Sequence, residues 1–446
     1  MSEKIIILGA AESGVGAALL AKQKGYKVFV SDEGMIKENY KKELIENEIE
    51  FEEGKHSIEK ILNADEIVKS PGIPEKNEMV KKIRAKNIPV ISEIELAYKF
   101  KGDSKIVAIT GSNGKSTTTA MIYHICKTAG LNCALVGNIG YSFAKQIAEN
   151  PKPLYVAEIS SFQLDDIKNF RANISVLLNI TEDHLDRYEY NFENYINSKF
   201  SIIQNSTSED YFIYCDDDEV IKKKLEAMRL ITNPIPFSMK HELTNGAWIK
   251  NNQMMLRVQE ERMSMSIYDF ALKGKHNQYN TMAASIAATT LGIKKEKIRE
   301  AVTNFESLEH RMEHVATVRG IEFINDSKAT NVNSTWYALE SMNKPTILIL
   351  GGLDKGNDYN LIKDLVKEKV KAIVCMGIDN KKIYEAFKDV VENIVDTQSA
   401  KDAVEKSFQL SAKGDVVLLS PACASFDLFK NYEDRGRQFK QAVKDL

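Results

Sequence analysis

Cysteine is scarce. The 446 residues include five, at Cys126, Cys133, Cys215, Cys375 and Cys423. The number is odd and no pair has the CxxC spacing of a zinc or dithiol site. Most sit in apolar stretches, where cysteine behaves as a small hydrophobe. This usage predicts a reducing, cytoplasmic setting. Long apolar runs are absent as well. None approaches the roughly 20 residues of a membrane span, so no membrane partner is expected. The opening "IIIL" is too short for a signal segment and reads as a strand. Excess charge of one sign is also missing. The formal net charge is −3, so bulk electrostatics give no reason to expect nucleic acid. Low-complexity segments and short-period repeats do not occur.

What is present is a soluble composition, 43% hydrophobic and 28% charged, on a chain long enough for about three domains. "KIIILGA", "SGVGAALLAKQKG" and "YKVFVSD" read as strand, helix and strand, and "DEIVKSPGI" and "IPVISEIE" continue the rhythm. Such alternation implies a parallel sheet. A polar stretch near residue 100 precedes a second unit with strands "KIVAITG", "NCALVG", "LYVAEIS" and "NISVLLNI". "GAWIKNNQMMLRVQ" and "MSMSIYDF" read as antiparallel strands around an Asn-Asn turn. "NQYNTMAASIAATTLGI" is helical and ends at a glycine. A third unit starts around residue 308, with strands "IEFINDS", "TILILGG", "AIVCMGI" and "DVVLLSPA". The fold expected is α/β with three domains of mainly parallel sheets: 1–100, Rossmann-like; 101–307, of P-loop type; and 308–446, Rossmann-like.

Two turns resemble nucleotide loops. "GAAESG" has Gly9 and Gly14 at the ends of a GxGxxG frame, with Ala11 in place of the middle glycine. That glycine normally lets a pyrophosphate approach the backbone. Asp32 follows the second strand, where an acid would meet a ribose hydroxyl. A plain βα turn, a dinucleotide site and a site for another nucleotide-containing molecule all fit. The second turn, "TGSNGKST", follows one strand and opens a helix. Gly111, Ser112, Asn113 and Gly114 offer backbone N–H groups to an anion at a helix N-terminus. Lys115 adds a positive charge, and Ser116 or Thr117 a hydroxyl for Mg²⁺. The usual early glycine of such loops is Ile109 here.

Glu158 ends "LYVAE" and His184 follows "NISVLLNI"; both strand ends suit metal ligands, oxygen donors being the more usual for Mg²⁺. A histidine that caps a loop is the plainer reading of His184. Lys199 falls on the apolar stripe Phe192, Tyr195, Ile196 and Ile203. It either snorkels to water or works in the interior, as a cation or chemically modified. In the third unit "INDSKATN", "LGGLDKGND" and "LLSPACASFDLFKNYEDRG" are polar loops after apolar strands, where open α/β sheets bind ligands.

Together "TGSNGKST", "NITEDHLDRY", "NDSKATN" and "SPACASFDLFKNYEDRG" resemble the Mur ligases over nearly the whole chain. The last motif resembles the D-glutamate-adding branch. The resemblance implies an ATP-dependent ligase that adds D-glutamate to UDP-N-acetylmuramoyl-L-alanine through an acyl phosphate, in peptidoglycan precursor synthesis. It makes the shortened loop at Ile109 a family trait. It implies ATP contacts at Gly111 to Thr117, Asn280, Arg311 and Asp326, with Lys115, His184 and Lys199 catalytic. It implies two Mg²⁺, held by Ser116, Glu158, His184 and a carbamylated Lys199. The UDP-linked substrate would meet Ser13, Gly14, Asp32, Ser70, Gly72, Asn138 and Gln163. D-Glutamate would meet Lys328, Thr330, Lys355, Ser425 and Tyr432, the last in place of a phenylalanine. The basic residue common after the aspartate is missing from "SDEG". The resemblance further implies a cytoplasmic monomer whose partners are small molecules. Alternatives are a related ligase for another amino acid, a P-loop NTPase that makes no bond, and a nicotinamide-dependent oxidoreductase suggested by the first turn.

Overall fold

The computed structural model describes residues 3–306, 309–354 and 356–446. Short β-branched runs with no polar break form its buried strands, because a parallel sheet covered on both faces selects continuous apolar segments. The first sheet has β1 (Lys4–Leu8), β2 (Lys27–Ser31), β3 (Glu50–Glu52), β4 (Glu66–Lys69) and β5 (Val90–Ile91), ordered β3-β2-β1-β4-β5. All its pairs are parallel. Ile6, Leu8, Phe29, Ile61, Ile67 and Ile83 pack together beneath it. Fully burying such side chains stabilises by about 1.5–3 kcal/mol each.

The second sheet has nine strands: β6 (Lys105–Thr110), β7 (Cys133–Gly137), β8 (Leu154–Glu158), β9 (Ile174–Leu177), β10 (Tyr211–Cys215), β11 (Asn233–Ser238), β12 (Gly246–Lys250), β13 (Gln253–Val258) and β14 (Glu261–Ser266). Their order is β14-β13-β12-β11-β10-β9-β6-β8-β7. From β12 to the β7 edge all pairs are parallel; β12, β13 and β14 form an antiparallel meander. Asn251 and Asn252 both take positive φ, 49° and 61°, which is the hairpin turn expected of Asn-Asn. β11 carries Pro234 and Pro236, yet pairs β10 along its length. Its pairing with β12 begins only at Phe237, so the missing proline donors cost no ladder bond on that side.

The third sheet has β15 (Glu313–Val318), β16 (Ile321–Asn325), β17 (Thr346–Leu350), β18 (Val370–Met376), β19 (Asn393–Thr397) and β20 (Val416–Leu419), ordered β15-β16-β20-β17-β18-β19. Only β15 is antiparallel to its neighbour. Apolar clusters cover both faces, one around Leu348, Leu350 and Phe387, the other around Phe323, Ile349 and Phe439.

By compactness the chain divides into two units. Met1–Ala271 with Gln278–Phe305 holds the first two sheets, and Leu272–Asn277 with Glu306–Leu446 holds the third. Inside the first unit the two sheets are welded. Gly16 in the Glu12–Gln23 helix has no room for a side chain: a Cβ there would lie 2.7 Å from Ser142 Cβ and 3.0 Å from Lys145 Cβ. Glu93 accepts hydrogen bonds at 2.6 Å from Ser142 Oγ and from the Ala144 amide. Glu95 accepts from the amides of Lys168, Asn169 and Phe170 at 2.9 Å. Asp166 pairs with Lys69 and Arg84. No helix among the described residues is long and apolar enough to cross a membrane, and all five cysteines are buried and free.

Candidate active site

The shortened loop leaves β6 through Gly111 and enters the Lys115–Thr128 helix through Gly114. Gly114 is left-handed, φ 81°, and a Cβ on it would collide with Asn280 Oδ1. That pairing brings Asn280, 166 residues further on, against the loop. Asn179, just past β9, brackets the loop: its Oδ1 accepts from the Asn113 amide at 2.8 Å and its Nδ2 donates to the Asn113 carbonyl at 3.1 Å. Ser112 Oγ donates to the Thr181 carbonyl at 2.9 Å and lies 3.1 Å from the Tyr195 hydroxyl. Asn179 and Thr181 were not among the site residues expected from sequence, although both lie inside "NITEDHLDRY", and Tyr195 was read only as part of the apolar stripe. A polar residue directly after a buried strand was the available signal.

Two lysines converge on one oxygen. Lys115 Nζ donates to the Gly111 and Ser112 carbonyls, each at 2.8 Å. Lys199 Nζ donates to the same Gly111 carbonyl at 2.8 Å. Lys199 does not snorkel. It is 1% exposed and its ammonium lies 4.5 Å from the centre of the Tyr195 ring. Burial first, and the Lys115 charge second, push its pKa well below the ordinary lysine value, against Asp183, Asp165 and Glu158.

Glu158, at the end of β8, is also 1% exposed. Its Oε1 accepts from Asn138 Nδ2 at 2.7 Å, while its Oε2 is buried without a hydrogen-bond partner. A buried, half-satisfied carboxylate is costly unless a cation completes it. With Ser116 buried at the helix start, this oxygen-rich donor set fits Mg²⁺. His184 is left-handed, φ 54°, and precedes the Leu185–Arg187 turn. Its ring meets Phe162 edge-on at 5.1 Å, and its Nε2 lies 3.6 Å from Asp183 Oδ2.

The first turn is built differently. Gly9 has φ 89°, and a Cβ on Gly14 would strike the Gly9 carbonyl; the helix therefore starts pressed against the loop. Asp32 ties that loop to the turn after β2. Its Oδ2 accepts from the Ala10 amide at 2.7 Å and its Oδ1 from the Gly34 amide at 2.8 Å. The carboxylate expected to face a ribose thus also shapes the backbone. Ser70 Oγ donates to the Gly9 carbonyl at 3.4 Å; Ser13 is half-buried and Gly72 exposed nearby in sequence terms. Gln163 is spent on a capping box, accepting from Ser160 N at 2.9 Å and Ser160 Oγ at 3.0 Å.

In the third sheet's unit, Asp326 follows β16 and is buried. It accepts from Ser420 Oγ at 2.9 Å and from the Met312 amide at 3.3 Å. Burial raises its pKa to about 7, against the pull of Ser420 and of Arg311. Lys328 Nζ sits 3.8 Å over the centre of the Tyr432 ring. Ser425 is buried and Thr330 exposed. Arg435, absent from the sequence-predicted set, is 1% exposed and ties Ser327 to the Cys423 carbonyl. Lys355 lies outside the described residues; the loop around it is held by Asp354, which accepts from the Gly356 and Asn357 amides and from Lys382.

Three family models match: Mur ligase middle domain over residues 109–288, Mur ligase glutamate ligase domain over 310–423, and MurD N-terminal domain over 4–79. A UDP-N-acetylmuramoylalanine--D-glutamate ligase from Christiangramia forsetii is 52% identical over 446 residues, covering 100% of both chains. The chain belongs to the Mur ligase family. A further Mur ligase of that name, from Bacteroides fragilis, is 53% identical over 445 residues, again covering 100% of each. Among solved structures, a pseudomurein peptide ligase type C from Methanothermus fervidus matches with TM-score 0.64 at 20% identity, covering 100% of both chains. The UDP-N-acetylmuramate-alanine ligase MurC from Thermotoga maritima matches with TM-score 0.63 at 17% identity over 99% of each chain. These two likenesses concern the three-domain Mur ligase fold.

Proposed function

We propose that this Mur ligase joins D-glutamate to UDP-N-acetylmuramoyl-L-alanine at the expense of ATP, in peptidoglycan precursor synthesis. The observation that carries this reading is the convergence of Lys115 and Lys199 on the Gly111 carbonyl. Lys115 brings a positive charge to the loop that a triphosphate would enter, and Lys199, its charged form disfavoured by burial, reaches the same loop oxygen. The near-full-length identity to D-glutamate ligases supports the choice of amino acid.

A carboxylate is a poor acyl donor because oxide is a poor leaving group. ATP therefore phosphorylates the alanyl carboxylate, giving an acyl phosphate and ADP. The amine of D-glutamate attacks, and phosphate leaves from the tetrahedral intermediate. Lys115 and the loop amides stabilise charge on the transferring phosphoryl. Mg²⁺, when bound, neutralises phosphate oxygens; Ser116 and Glu158 would hold one ion, His184 and Lys199 a second. Lys199 fits that role as a carbamate. Its amine, kept neutral by burial, attacks CO₂ and loses a proton, turning a buried nitrogen donor into an oxygen donor. Asn280, Arg311 and Asp326 are assigned to ATP; Lys328, Thr330, Lys355, Ser425 and Tyr432 to D-glutamate; Ser13, Gly14, Asp32, Ser70, Gly72, Asn138 and Gln163 to the UDP-linked substrate. The working domains are 1–100, 101–307 and 308–446, in a cytoplasmic monomer.

Phosphate release over a panel of amino acids and UDP-muramoyl substrates is the test. Release requiring both UDP-N-acetylmuramoyl-L-alanine and D-glutamate is expected. Release indifferent to both would favour a simple NTPase, and release with another amino acid a different ligase. For Lys199, removal of bicarbonate should lower the rate and its return restore it. Indifference to CO₂ together with an active Lys199→Ala variant rules out the carbamate.

A further inference from the structure

The first turn has no lysine of its own. "GAAESG" and "SDEG" carry no basic residue, whereas the second turn has Lys115 and borrows Lys199. A diphosphate at the first turn would be met by helix N–H groups and neutral hydroxyls, with no cation of the turn's own. Two cations of the same unit reach the neighbouring loop after β4: Lys69, which donates to the Ile73 carbonyl but is paired with Asp166 and Glu75, and Arg187. Arg187 closes the Leu185–Arg187 turn after His184. Its Nη2 donates to the Pro71 carbonyl at 3.0 Å and its Nη1 to the Gly72 carbonyl at 3.3 Å. Both carbonyls belong to the loop after β4. In the order β3-β2-β1-β4-β5, β1 and β4 are the neighbours at which the winding reverses. Open α/β sheets bind ligands in the crevice at that reversal.

Three features mark Arg187 as more than a brace. First, its partners are neutral carbonyls. Among the described residues no carboxylate lies within 4.0 Å of it, so its charge is uncompensated. Second, two hydrogen bonds use two of five guanidinium donors, leaving three. Third, the cation is fixed in direction: its central carbon lies 4.3 Å over the Phe162 ring, and Phe162 in turn stacks on Tyr188 at 6.0 Å. A planar group can stack, bond two carbonyls along one edge and still present another edge; lysine cannot. It remains half-buried rather than sealed.

We infer that Arg187 binds the diphosphate of the UDP-linked substrate, supplying from the central domain the cation that the first turn lacks. This rests on the substrate assigned under Proposed function. It also links that substrate to the reaction centre, because Arg187 and His184 share one turn, with the Arg187 amide donating to the His184 carbonyl at 2.9 Å.

The test is steady-state kinetics of the full chain with Arg187→Gln and Arg187→Lys, together with competition by UDP and by uridine, which lacks both phosphates. Loss of a charge-assisted contact should raise KM for UDP-N-acetylmuramoyl-L-alanine about tenfold or more in Arg187→Gln, with kcat within about twofold. The inhibition constant of UDP should rise in parallel and that of uridine stay put. Arg187→Lys should fall between, and KM for ATP should not move. Equal weakening of UDP and uridine would mean that Arg187 only braces the Pro71–Gly72 turn, and the inference fails. Unchanged constants for both also overturn it. A wild type that turns over no UDP-linked substrate, yet binds UDP in an Arg187-dependent way, would instead sink the proposed substrate and keep the anion site.

Discussion

The molecule carries the same device twice, a strand feeding a left-handed glycine and then a helix, and builds it by opposite means. At Gly9 the loop is held from outside by an anion: Asp32 reaches from the end of β2 and takes the Ala10 amide, its other oxygen taking the Gly34 amide of its own turn. At Gly111 the loop is held by lysine nitrogens: Lys115 and Lys199 donate to its carbonyls. The first arrangement spends negative charge and leaves no mobile group for chemistry. The second sets the Lys115 charge, with the buried Lys199 amine beside it, at the loop proposed to receive a polyanion. Under the proposed function, the turn that grips a handle is organised by a carboxylate and the turn that drives phosphoryl transfer by lysines.

The sharpest break of the comparison is Lys115→Ala. Phosphate release should fall by about 10²–10³ or more, while calorimetry should show UDP binding unchanged. Equal losses at both ends would mean that the turns are one site. Next come the glycines. In Gly114→Ala a left-handed alanine costs about 1–2 kcal/mol, and its methyl meets Asn280. The ATP-induced rise in Tm should vanish while the UDP-induced rise persists. Gly9→Ala, whose Cβ would sit 2.8 Å from Ser70 Cβ, should do the reverse. Asp32→Asn comes third: two charge-assisted bonds become neutral ones, and KM for the UDP-linked substrate should rise about five- to tenfold, with KM for ATP unmoved.

The smallest effect concerns what joins the turns. Glu93 is fully buried, and burial raises its pKa to about 7 against its Ser142 and Ala144 bonds. The folded state therefore holds this proton more tightly than the unfolded chain, whose carboxyl titrates near 4.5. Stability from this group is present below the unfolded value and declines as pH rises through about 7. Tm of the wild type should fall across that window by a part that Glu93→Gln removes. A parallel decline in the variant would put the pH dependence elsewhere.

Much of this was legible in the sequence because it is local. The strand–turn–helix order around "TGSNGKST" and the periodicity of the long strands dictate the sheets' central members. β3 and β19 are short or carry charged residues in their runs, and β11 contains two prolines; their strand character comes from neighbours rather than composition. In the site, Lys199 on an apolar stripe was readable as an exception but not as a partner of Gly111, 88 positions away. Asp32's grip on Ala10 and Gly34 escaped notice because a carboxylate after a second strand reads as ligand-facing. Asn179 and Arg435 act through backbone atoms, which no side-chain pattern advertises. Glu93 and Glu95 look like an ordinary charged helix start until the chain folds them onto amides 50 to 75 residues away.

The bare Cα of Gly16 has one more consequence. It lets two helices lie so close that the first and second sheets behave as one casting, with a nucleotide turn set in each. Such a part is a caliper with locked jaws. A substrate a few atoms too long or too short would engage one jaw and miss the other, so selection for molecular length resides partly in a glycine that touches no substrate.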